Sequence, residues 1–144
     1  METNSLPETI RTIIAQAGGL GLAGAFTYVG ASQFTYRCAE AEGEYRSSRR
    51  SRLVSEAELG FIDYEVGLQA RVNGKRGRAW TLIIAYEPDD TYTVWLVEAW
   101  RGRKSDSMVL ACHRDVYCDV LQSVIESTYD EAIRERNGGF IPLS

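Results

Sequence analysis

The sequence predicts an α+β domain: an antiparallel sheet of four to five strands, built on a meander and packed with an N-terminal and a C-terminal helix. Three observations carry that prediction. Between Phe61 and Arg101, three runs of alternating apolar residues are separated by two turn signals, the period-2 pattern of half-buried strands. Before them, Ile10, Ile13, Ile14 and Ala17 recur at helical spacing. After them, Val116, Tyr117, Val120, Leu121, Val124, Ile125, Ala132 and Ile133 do the same, with Asp119, Glu126, Asp130 and Glu131 on the other side. Neither helix is long enough to persist alone in water, so both are expected to lie on the sheet.

Taken in order, Ser5-Leu6-Pro7-Glu8 reads as a helix start, with Ser5 as cap, Pro7 in the first turn and Glu8 three residues on. Gly18-Gly19 stops that helix. Residues 12–36 carry no charge, yet five glycines between Gly18 and Gly30 argue for a buried helix end, loop and strand rather than a membrane span. Gly19-Leu20-Gly21-Leu22-Ala23-Gly24 matches the spacing of a dinucleotide-binding turn. That turn works only after a strand and before a helix, whereas here a helix precedes it and β-prone residues follow. A strand is expected over 25–37, with Phe26, Tyr28, Phe34 and Tyr36 in phase. From Glu40 the chain turns polar and then arginine-rich, so a mobile loop is expected at about 40–56.

Strand phase decides the next turn. A two-residue Asn73-Gly74 hairpin would throw the apolar sets of adjacent strands onto opposite faces. A three-residue loop, Lys75-Arg76-Gly77, keeps Val72 beside Trp80 and places Gly77 where a left-handed residue is needed. By the same logic Tyr86 faces Tyr92 across Glu87-Pro88-Asp89-Asp90-Thr91, Ile84 faces Val94, and Leu82 faces Leu96. Gly102–Ser107 is expected to turn the chain, Met108–Cys112 to form a short last strand, and Asn137-Gly138-Gly139 to end the closing helix.

A chain of 144 residues fits one domain over residues 1–144, large enough to remove roughly two-thirds of its unfolded surface from water. A net charge of −4 gives no general attraction to nucleic acid or anionic membrane. Three cysteines (Cys38, Cys112, Cys118) leave one unpaired in any scheme, and no basic leader precedes the first helix. An intracellular, cytoplasmic setting is therefore expected.

No complete catalytic set is visible. Cys112 next to His113, the chain's one histidine, just ahead of a helix, is the nearest approach to a nucleophile with a base. On an extended chain, however, neighbours point opposite ways. Together with Cys38 and Cys118 these residues hold the right atoms for zinc but lack knuckle spacing. No catalytic residue, metal or cofactor is assigned. Two surfaces remain. In a meander, Lys75, Arg76 and Arg78 share one end of the sheet with Arg101, Arg103 and Lys104, a basic end suited to phosphates. On the odd-numbered face Ile83 should sit beside Trp95, with Val97 next to them. That patch is a partner surface if both helices cover the other face, and core if one helix lies on each. The expectation is a small non-catalytic binding protein that uses its sheet for a protein partner or for self-association, without a membrane. Nucleic-acid or nucleotide binding at the basic end is the first alternative, and a Cys112/His113 enzyme the second.

Overall fold

In the computed structural model, residues 6–37, 42–45, 66–74, 79–100 and 103–138 are described. Of these, 37, 42–45, 79, 99–100, 103–108 and 135–138 are described by their backbone. Helix α1, Glu8–Gln16, buries Ile10, Ile13 and Ile14, and Glu8 occupies its first turn, where a carboxylate opposes the helix dipole favourably. Pro7 takes the cap position; the expected cap residue Ser5 lies outside the described residues. The helix stops as expected, at Gly18 (φ 99°) and Gly19 (φ 79°), with the Gly19 amide bonded back to the Ile14 carbonyl at 2.9 Å.

The strand expected over 25–37 begins later. Ala25–Tyr28 forms a short helix, α2, and β1 covers Ser32–Arg37. The reason lies in the glycine loop. It folds back so closely that a Cβ on Gly24 would lie 2.5 Å from the Gly19 carbonyl oxygen and 2.8 Å from that of Gly18. Those are backbone atoms that cannot step aside, so the position is confined to glycine. The Ala25 amide then reaches the Ala17 carbonyl at 3.0 Å, and a helical turn follows. Phe26 and Phe34, expected in phase on one strand, instead meet edge to face with ring centres 5.2 Å apart.

Among the described residues the sheet has six strands in the order β2-β1-β3-β4-β5-β6, every neighbouring pair antiparallel. The remaining strands are β2 (Glu42–Tyr45), β3 (Gly67–Asn73), β4 (Ala79–Tyr86), β5 (Tyr92–Trp100) and β6 (Arg103–Val116). The α+β class and the terminal helices are as expected, with one strand more than the upper expectation. Part of the segment read as a polar loop at 40–56 is the edge strand β2, while residues 46–56 lie outside the described residues. The meander registers match the reading: Val72 pairs with Trp80, Leu82 with Leu96, Ile84 with Val94, and Tyr86 with Tyr92. Between β4 and β5, Asp90 adopts φ 68°, a left-handed conformation that Asp tolerates. Asp89 Oδ1 accepts from the Thr91 amide at 3.2 Å and from its hydroxyl at 2.6 Å.

The expected short last strand at 108–112 is one third of a fourteen-residue strand. Its polar start, read as a turn, extends the ladder because hydrogen bonding to β5 overrides local propensity. Register shifts interrupt this pairing in three places, and Asp115 has φ 57°. Val116 therefore closes β6 rather than opening the helix. A 3₁₀ turn at Cys118–Val120 leads into α3, Leu121–Gly138.

Even-numbered strand residues Leu68, Ala70, Val72, Trp80, Leu82, Ile84, Val94 and Leu96 form one core with Ile10, Ile13 and Ile14 of α1, Phe26 and Val29 around α2, and Leu121, Ile125 and Ala132 of α3. Two polar ties clasp α3 to the N-terminal region. Gln122 Nε2 donates to the Ala23 carbonyl at 2.7 Å, and Tyr28 Oη donates to the Asp130 carboxylate at 2.8 Å.

Candidate functional site

The odd-numbered face resolves the alternative left open by the sequence in an unexpected way. Ile83 and Trp95 are paired, as expected. Both terminal helices contribute to the even-numbered core, yet Ile83 and Val97 are 0 % exposed and Trp95 9 %. The partner surface expected at Ile83, Trp95 and Val97 is thus not an open patch on the folded chain. Buried polar residues share this face: Thr35 lies opposite Gln69, and Thr93 Oγ1 donates to Glu87 Oε2 at 2.6 Å. Where the face reaches β6, exposure returns. Val109 lies opposite Val97 and is 39 % exposed, and Cys112 lies opposite Trp95 and is exposed.

The sheet ends at two unlike edges. Strand β2 is four residues long and β6 fourteen. Among the described residues β6 pairs only with β5, so no described strand occupies its outer row of peptide groups, the groups through which a sheet edge accepts a further strand. Cys112 and His113, the pair behind the second alternative, are consecutive on this strand and both exposed, opposite Trp95 and Val94. They leave the backbone on opposite sides, and among the described residues no hydrogen bond joins them.

Of the expected basic cluster, Lys75, Arg76, Arg78 and Arg101 lie outside the described residues. Arg103 and Lys104 begin β6, with Arg103 paired to Trp100. The strand ends that flank both loops, Asn73–Ala79 and Trp100–Arg103, come to one end of the sheet. Among the described residues, no group of three His, Cys, Asp or Glu could hold a metal ion. No described helix is long and apolar enough to cross a membrane.

At the opposite end of the sheet the structure forms a site that the sequence reading did not assign. A cleft of about 600 Å³ lies between α1 and the β4–β5 hairpin, walled by Glu8 and Gln16 from α1, Tyr36 from β1, and Tyr86, Asp90 and Tyr92 from the hairpin. Tyr86 Oη donates to Asp90 Oδ1 at 2.7 Å, and Tyr92 Oη donates to Gln16 Oε1. The two rings meet at 54° with centres 5.7 Å apart. Burial first, then the neighbouring Tyr86, Cys118 and Asp90, push Tyr92 up to about 12. The bond to Asp90 is the main cause that raises Tyr86. The Tyr86–Tyr92 pair beside an acidic turn was visible in the sequence. Its meeting with Glu8 and Tyr36, 50 residues or more away, depends on the helix docking and the β1–β3 pairing. No protein-family model matches the chain, and no curated protein or solved structure matches it either.

Proposed function

We propose that this chain is a small non-catalytic interaction protein that recruits a protein partner by adding an extended segment to β6, the occupant being in the first instance a second copy of the chain. The observation that carries the reading is the fourteen-residue edge strand with only one neighbour among the described strands. With Ile83, Trp95 and Val97 buried, the edge takes over the role first expected of the face, and exposed Val109 and Cys112 continue its apolar strip. Strand addition draws affinity from main-chain hydrogen bonds and selectivity from alternate side chains. An edge paired with its own copy across a twofold axis is self-complementary by construction. The free thiols of Cys112 and Cys118 accord with a reducing, cytoplasmic setting.

Sedimentation equilibrium tests the reading. The expected mass is that of two chains. Val109→Lys combined with Cys112→Lys, which sets charge along the edge, is expected to weaken association about ten-fold or more without lowering the melting temperature. A monomer at every concentration rejects self-pairing, and association unchanged in the double variant rejects the edge.

A second reading is favoured by the register, which brings the ends of both basic hairpins together. It is phosphate binding by Lys75, Arg76, Arg78, Arg101, Arg103 and Lys104. Affinity for a nucleic acid should then fall steeply with salt and vanish when Arg76, Arg78, Arg101 and Arg103 become Glu. Salt-independent binding removes it.

A further inference from the structure

We propose that the cleft between α1 and the β4–β5 hairpin is a binding site for an organic cation, an alkylammonium or alkylguanidinium group, held by Asp90 and Glu8 against the rings of Tyr36 and Tyr86. This site does not depend on the interaction reading above. Its volume, about 600 Å³, falls within the range of small-molecule sites, roughly 300–1,000 Å³. Among the described residues its wall carries charge of one sign: Glu8 and Asp90 line it and no Lys or Arg does; Arg11 sits on α1 but is not part of the wall.

The aromatic geometry suits the same ligand. Tyr86 and Tyr92 meet at 54°, tilted rather than stacked, so Tyr86 is not covered face to face by its neighbour. Their hydroxyls are engaged by Asp90 and Gln16, which fixes the rings; Tyr92 is buried in the core, whereas Tyr36 and Tyr86 are only half-buried. A cation near the face of such a ring gains about 0.5–2 kcal/mol. Asp90 accepts the Tyr86 hydroxyl through one oxygen, and its second remains for a charge-assisted bond. The helix N-terminus at Pro7–Glu8 would by itself attract an anion, but Glu8 in the first turn already supplies one. An alkyl body is accommodated because Leu6 and Pro7 complete the mouth.

The test is a titration of the full chain, followed by backbone amide chemical shifts, with butylguanidinium, butanol and butyrate as separate probes. Butylguanidinium is expected to shift amides in the first turn of α1 and across residues 86–92. Its affinity should exceed that of the neutral and anionic probes by about ten-fold or more. Asp90→Asn keeps a residue that tolerates the left-handed conformation, and Glu8→Gln changes an exposed first-turn position, so both variants should fold. Each is expected to weaken butylguanidinium about ten-fold. Absence of saturable shifts, shifts elsewhere on the molecule, equal binding of butanol, stronger binding of butyrate, or unchanged affinity in both variants each overturns the site.

Discussion

The two faces of the sheet are dry for different reasons. The even-numbered face is covered by α1, α2 and α3 and joins their side chains in one core. The odd-numbered face stands outside that core, yet Ile83, Ala85 and Val97 are fully buried, alongside Thr35, Gln69 and Thr93. The comparison teaches that burial here does not follow apolar content. One face is buried by helices that its own periodicity calls for, and the other is a mixed surface whose polar atoms must find partners inside the protein.

The largest effect that tests this contrast is expected at Trp80, which is buried and donates to Glu98 Oε2 at 3.4 Å. Trp80→Ala should cost about 3–5 kcal/mol in denaturant unfolding. Next come Ile84→Ala and Ile83→Ala, on opposite faces. Each should cost about 2–5 kcal/mol, and an Ile83→Ala cost below about 1 kcal/mol would show that the odd-numbered face is not core. Alkaline pH probes the helix-covered side, where Tyr92 belongs to the core. Its folded pKa, about 12, lies above the ordinary value of 10.0. The associated stability is therefore fully present below pH 10 and is lost as pH rises from 10 towards 12, by on the order of 2 kcal/mol. Unfolding followed across that window should show the loss in the wild type and a smaller one in Tyr92→Phe. The smallest effect is expected at Thr35, whose hydroxyl is buried with no hydrogen-bond partner among the described residues. Thr35→Val should leave stability unchanged or raise it by up to about 1 kcal/mol. A clear loss would mean that the hydroxyl is engaged.

Strand phase made much of the fold legible. The pairs Val72–Trp80, Leu82–Leu96 and Ile83–Trp95 follow from alternation plus one choice of loop length, because a one-residue slip would invert every face. The glycine pair after α1 was equally plain. Other features were not. Ala25–Tyr28 has strand-like residues, but the Gly18–Gly24 approach dictates its helical turn. The first residues of β6 are polar and become a strand only through β5. Burial of Ile83 and Val97 could not be read from alternation, which says which residues share a face and not what covers it. The cleft was half legible: its hairpin tyrosines and acidic turn stand in the sequence, whereas Glu8 and Tyr36 reach them through tertiary contacts.

The clasp between α3 and the glycine loop carries a consequence for biosynthesis. Gln122 and Ala23 are separated by 99 positions, and Tyr28 and Asp130 by 102. While the chain is being made, α1, α2 and the meander must therefore wait with one oily side bare until α3 emerges to close it. The nascent protein is then most prone to aggregate late in its synthesis, and a chaperone would have most to do at that stage.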